Sequence, residues 1–184
     1  MIIIGITGTI GAGKGTLVEY LLREKNFVHY SVRGVLIEEI TKRNLPTNRD
    51  TMVSVANELR KKNSPSYIID RLFEQAKLSG KNAVIESIRS VGEVESLRKQ
   101  KGFLLLAVDA DPKIRYERIV KRKSETDHVS YNEFIANEQR EMTATDPNKQ
   151  NLNQCIAMAD YTLCNNLSVN ELYSELERII SKIC

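Results

Sequence analysis

An apolar run at residues 2–7 leads straight into Gly8-Thr9-Ile10-Gly11-Ala12-Gly13-Lys14-Gly15-Thr16, and this opens an amphipathic stretch carrying Leu17, Tyr20 and Leu21. A buried strand, a glycine-rich turn and a helix in that order leave few ways to fold the start of the chain. Glycines let backbone N–H groups turn inward, the helix N-terminus adds a partial positive charge, and the lysine adds a full one, so the segment suits phosphate oxygens. The spacing assigns Gly8, Gly11, Ala12, Gly13, Lys14, Gly15 and Thr16 to a triphosphate cradle. A glycine turn without a ligand is the plainer reading, but glycines, lysine and this strand-loop-helix context rarely coincide by chance. Because Gly15 follows Lys14, the hydroxyl that usually touches magnesium is displaced to Thr16. Magnesium is then expected to be held largely through water.

Further strands of continuous apolar character are expected at 83–87 and 103–109, with weaker ones at 27–30 and 161–165. Ser90 with Glu93, Ser130 with Glu133 and Ser168 with Glu171 each match a capping box, and Asp111-Pro112 is another helix start. Strands alternating with helices imply an α/β architecture in three layers, a five-stranded parallel sheet with helices on both faces. Between the second and third strands lie three helical stretches, roughly 33–44, 50–62 and 66–79, broken at Leu45-Pro46 and Ser64-Pro65. One crossover needs fewer, so 31–80 reads as a helical insertion beside the ligand crevice.

The 184 residues fit one domain, and 41% hydrophobic with 28% charged residues excludes extensive disorder. A net charge of +3 is too small to argue for nucleic acid, although it suits a small anionic ligand. Cys155, Cys164 and Cys184 are odd in number and form no C-x-x-C pair, so reduced thiols are expected rather than disulfides or zinc. The apolar start is too short for a signal peptide or a membrane span. The expected location is the cytoplasm, with no nucleic-acid or membrane partner; protein partners are not legible.

The version of the loop with glycine after the lysine, Gly13-Lys14-Gly15-Thr16, resembles that of adenylate kinases and other P-loop nucleoside monophosphate kinases. Ile85-Glu86-Ser87-Ile88-Arg89 is similar to the acidic residue, small residue and arginine that close the third strand of those kinases. Arg118 and Arg122 fall where they carry paired arginines at the base of a lid. Glu38-Glu39, Leu59-Arg60-Lys61 and Ala159-Asp160-Tyr161 followed by Asn165 extend the likeness to the adenylate-kinase-related, dephospho-CoA-kinase-like small kinases. The resemblance implies a P-loop kinase fold with a helical acceptor-binding insertion at 31–80, a short lid region at about 115–142, and ATP and magnesium as cofactors.

Individual residues are weighed on that background. Glu86, at the carboxyl end of a buried strand, is placed to hold magnesium waters, or else to cap the next helix, a role Ser90 already fills. Arg89 lies three residues on and can clamp the acceptor phosphate. Arg115, Arg118 and Arg122 share one helical face; Arg118 and Arg122 are read as catalytic arginines, with a solvated face as the alternative. Arg140 either reaches back across the closed site or forms surface ion pairs with Glu133, Glu138 and Glu141. The polar segment 123–129 has room for a small lid, and its lack of cysteine excludes a zinc-bearing one. On the acceptor side the family arginine is replaced by Ile37, so Ser31 and Arg33 start the binding helices, and Arg60, ahead of Arg33 and Arg49, is the preferred clamp. His29 and His128 are expected to be structural; Asp160 and Asn165 serve the adenine side or close the fold. The reading is γ-phosphoryl transfer from Mg-ATP to a nucleoside or deoxynucleoside monophosphate. Alternatives are dephospho-CoA kinase and a nucleotide-binding regulatory ATPase. Since no general base stands out, a phosphate acceptor is favoured over a hydroxyl.

Overall fold

Three uninterrupted apolar segments form the middle of the sheet because each has strand neighbours on both sides and helices above and below. In the computed structural model, which describes residues 1–122 and 129–183, β1 (Ile3–Gly8) is buried at every position. It pairs in parallel with β3 (Ala83–Glu86) and with β4 (Phe103–Asp109). The weaker patterns become the edges: β2 (Val28–Ser31) lies beyond β3, and β5 (Tyr161–Cys164) beyond β4. The order is β2-β3-β1-β4-β5 with all pairings parallel, so the expected five-stranded parallel sheet is present. The edge strands are only partly buried, and mixed exposure dilutes an apolar run.

Successive residues of β1 alternate between the two faces. Ile3, with Ile85 and Leu105, joins a core under α2 (Val32–Lys42), α3 (Arg49–Lys62), α4 (Tyr67–Ser79), α5 (Val91–Arg98) and α8 (Leu152–Ala157). Ile4 and Ile6, with Val84, Leu106 and Val108, join a second core under α1 (Lys14–Lys25) and α9 (Val169–Ile183). A small third cluster, Ile10, Ile119 and Phe134, seats α6 (Pro112–Arg122) and α7 (Tyr131–Met142) against the glycine-rich loop. The three helices between β2 and β3 lie where the two prolines bound them. The six-residue α8 is too short to show a periodicity and is absent from the sequence reading; Asn151 caps it, accepting from the Gln154 N–H.

All five strands end at the same edge of the sheet, where ligands of open α/β folds bind. Two breaks in the backbone shape that edge. Gly8 ends β1 at φ 142°, and Ser87 leaves β3 at φ 67°, a left-handed conformation that side chains seldom adopt outside functional turns. Among the described residues no helix is long and apolar enough to cross a membrane.

Candidate active site

The loop after β1 has the geometry of an anion cradle. Gly11 and Gly13 hold φ of 76° and 106°, and α1 begins at Gly13 with no side chain capping it, so its first turn is open to an external acceptor. A β-carbon at Gly8 would lie 2.0 Å from the Val108 carbonyl oxygen, at Gly11 2.5 Å from that of Arg115, and at Gly13 2.3 Å from Asn165 Nδ2. These glycines are required by packing as well as by φ. Gly15 differs, with nothing within 4 Å of a β-carbon. Gly15→Ala is therefore expected to raise folding stability by about 0.5–1 kcal/mol through helix propensity, and Gly8→Ala to lower it severely; urea denaturation of both variants tests the contrast.

Lys14 folds back over the loop, donating to the carbonyl oxygens of Gly8 at 2.8 Å and Thr9 at 2.7 Å. Burial, reinforced by the Arg89 guanidinium, brings its pKa from 10.5 down to about 7, against the opposing pull of Glu86 and Glu141. Asn165 underpins the loop, donating from Nδ2 to the Ala12 carbonyl oxygen at 2.8 Å and accepting from Arg118 Nη2 at 3.4 Å. Asp160, by contrast, closes the fold: it accepts from the Leu105 N–H at 2.7 Å and pairs with Arg98.

The loop forms one wall of a cavity of about 800 Å³. Lys14, Thr16, Glu86, Arg89, Arg118 and Arg122 all reach it, drawn from α1, the end of β3, and α6. Burial raises the Glu86 carboxyl, but the His29 imidazole at 3.4 Å, the Lys14 charge and the Ser31 hydroxyl outweigh it and hold the carboxyl below its ordinary range. His29 thus stands beside a cavity carboxylate. Glu86 and Thr16 bring hard oxygen donors to the cavity that the phosphate loop lines, which fits a magnesium ion bound mainly by nucleotide phosphates and water. Among the described residues no group of three His, Cys, Asp or Glu could hold a metal alone.

The three arginines of α6 divide. Arg118 and Arg122 reach the cavity, and Arg118 Nη1 is buried without a hydrogen-bond partner among the described residues. Arg115 is 3% exposed and serves packing: it donates to the carbonyl oxygens of Ala110 and Ile10, pairs with Glu138 at 2.6 Å and lies over the Phe134 ring.

The residues expected on an acceptor side depart further from expectation. Arg33 lines the cavity, whereas Ser31 caps α2 by accepting from the Gly34 N–H and donates to Glu86 at 3.4 Å. Arg60 touches the wall but is only 1% exposed, and its Nε and Nη2 are both given to Glu93 Oε1 at 3.1 and 2.7 Å. It is a buried strut, with Nη1 alone left over. Arg49, weighed beside Arg60, lines the cavity together with Arg89. Arg140 points away, 45% exposed and paired with Asp50 at 2.8 Å. The neighbouring Glu141 enters instead, only 2% exposed, accepting from Arg49 Nη2 and Arg89 Nη1. Glu86 and Glu141 place two carboxylates on the cavity lining, which weakens the inference drawn from the lack of a candidate general base. The lid segment at 123–129 falls, apart from Val129, outside the described residues, as do His128 and Cys184; Cys155 and Cys164 are free thiols.

Comparison with known proteins bears on the family and the fold. The profile of the AAA domain matches residues 4–146. The UPF0200 protein of Methanocaldococcus jannaschii is 31% identical over all of this chain and 91% of its own length. Among solved structures, shikimate kinase from Bacteroides thetaiotaomicron superposes with a TM-score of 0.60 at 12% identity, covering 98% of both chains. The protein TT1252 from Thermus thermophilus gives 0.61 at 19% identity, covering 100% of this chain and 98% of its own. The chain is a member of the UPF0200 family, carrying an AAA domain with the fold of the small P-loop kinases.

Proposed function

We propose that the protein moves the γ-phosphoryl group of Mg-ATP to a nucleoside or deoxynucleoside monophosphate. The observation that carries this reading is one cavity lined by the phosphate loop with its lysine and also by Arg49, Arg89, Arg118 and Arg122, which come from three other parts of the chain. Two anion sites in one enclosure suit a phosphoryl donor and a phosphate-bearing acceptor. Val32, Leu36, Met52 and Ala56 give the α2–α3 side an apolar surface on which a base can rest.

In the proposed reaction an oxygen of the acceptor phosphate attacks the γ-phosphorus, the bond from that phosphorus to the β,γ-bridging oxygen breaks, and ADP leaves. The acceptor is already an anion, so no proton need be removed. Charge spreads over the equatorial oxygens, where Lys14, Arg118 and Arg122 stabilise it. Thr16 and Glu86, both on the cavity lining, would hold magnesium through water, and the ion would supply charge neutralisation to the phosphates.

A hydroxyl acceptor, as in a dephospho-CoA kinase, is the second reading, because Glu86 supplies a carboxylate on the cavity wall. The test is ADP release with Mg-ATP against a panel of monophosphates and dephospho-CoA. Stimulation by one or a few monophosphates supports the proposal. Stimulation by dephospho-CoA alone supports the second reading, and stimulation by nothing moves the protein to a regulatory ATPase.

Lys14 also couples ATP to protons. Its pKa is about 7 without ligand, and a polyphosphate restores the ammonium, so the bound pKa is the higher one. The proton is therefore taken up on binding above pH 7, and ATP affinity falls by up to about tenfold per pH unit as pH rises from there. Calorimetry at about pH 8 in buffers of different ionisation enthalpy should show nearly one proton taken up, and at about pH 6 almost none.

A further inference from the structure

Glu141 occupies a place that the proposed reaction needs for something else. It projects from α7, its side chain is 2% exposed, and it lines the cavity. One carboxylate oxygen accepts from Arg49 Nη2, at the start of α3, and the other from Arg89 Nη1, beyond β3. Neither arginine forks the carboxylate. Arg49 Nε is buried and unpartnered among the described residues, and Arg89 Nη1 shares its proton-donating side with Gln150 Oε1 at 3.3 Å. Arg49 and Arg89 come from separate elements and, among the described residues, converge on this anion. The arrangement has the donors of a phosphate site and holds a ligand with too few oxygens and too little charge to saturate them.

We propose that Glu141 is an internal stand-in for the acceptor's phosphate, which binds by displacing the Glu141 carboxylate from Arg49 and Arg89. Resting on the reading that the acceptor carries a phosphate, this names the residue that sets its charge requirement. A monoanionic carboxylate ligand merely exchanges one carboxylate for another and gains little. A phosphate dianion brings a third oxygen and a second charge, enough to use the donors that Glu141 leaves idle. Without ligand, the same contact keeps two partly buried guanidinium groups compensated. Glu141 is thus a specificity residue acting by competition.

The experiment is titration of inorganic phosphate, with acetate as control, into the wild type and Glu141→Gln. Removing the competing charge should tighten phosphate binding by about tenfold, and should let acetate bind where the wild type shows none. Weaker or unchanged phosphate binding by a folded Glu141→Gln would overturn the proposal and leave Glu141 as an organiser of the two arginines. Should that variant not fold, a crystal structure of the wild type soaked in phosphate decides. The proposal requires phosphate between Arg49 and Arg89 with Glu141 turned away; Glu141 still in place with phosphate elsewhere would refute it. Neither arm uses ATP or turnover, so failure of the kinase reading, seen in the acceptor panel, is separable from failure of this one.

Discussion

Lys14→Ala is expected to lower acceptor-stimulated ADP release by at least about a hundredfold, the scale found when one preorganised charge-stabilising donor is removed from a transition state. The side chain is the one cation delivered by the phosphate loop itself, and it is held over the loop by the Gly8 and Thr9 carbonyl oxygens. Its loss should not unfold the protein. The folded-state pKa lies below the unfolded value, about 7 against 10.5, so the native state disfavours the charged form. Below pH 7 both states carry the charge and the penalty is complete; between pH 7 and 10.5 it fades as pH rises, since only the unfolded chain then binds the proton. Lys14→Ala should therefore melt above the wild type near pH 6.5, with the difference narrowing towards pH 10. Melting curves at the two ends of that range, beside a turnover assay, test both halves. A variant both inactive and less stable at low pH would mean that Lys14 supports the loop rather than the ligand.

The largest expected loss of stability belongs to Glu93. Its carboxylate is fully buried and gathers four donors: Arg60 Nε and Nη2 at Oε1, and the backbone N–H groups of Arg89 and Ser90 at Oε2. Glu93→Ala removes the counter-charge of Arg60, itself 1% exposed, together with half of the capping box that starts α5. Breaking a buried pair by removing one partner costs about 3–5 kcal/mol, because the other charge is left uncompensated. Replacing both residues, as in Arg60→Met with Glu93→Leu, should recover most of that loss, leaving about 1 kcal/mol for the missing cap. Urea denaturation of the two single variants and the double variant measures the coupling. Near-additive losses would contradict the account. Because the same carboxylate fixes the Arg89 N–H, Glu93→Ala should also loosen the part of the cavity that Arg89 lines.

Glu93 illustrates how far the sequence could be read. The Ser90–Glu93 capping box is local and was legible from four residues, and the structure contains it. The second role of Glu93 was hidden because Arg60 is 33 residues away and no pattern on either helix announces the pairing. Arg60 itself, read as a clamp, has the right neighbourhood but is committed to that pairing. The glycine-rich loop, the central strands and the insertion helices could be read because short spacing and prolines encode them. The contents of the cavity could not, because they depend on which way each helix is rolled. On α7, adjacent residues Arg140 and Glu141 were equally available to a periodicity argument. Seating Phe134 against Ile10 and Ile119 turns Glu141 inward and leaves Arg140 with Asp50. On α6 the shared face of Arg115, Arg118 and Arg122 hid a division of labour set by Glu138 and Phe134 of the neighbouring helix.

The central claim is that one cavity holds donor and acceptor phosphates together. Calorimetric titration with a ligand that joins adenosine to a second nucleoside through a polyphosphate bridge tests it most directly, with ATP alone as reference. The bridged ligand should bind at least about a hundredfold more tightly than ATP, since the second site adds its contacts without a second association cost, and Arg89→Ala should erase the advantage while ATP binding persists. Binding of the bridged ligand no tighter than ATP, and indifferent to Arg89, would contradict it.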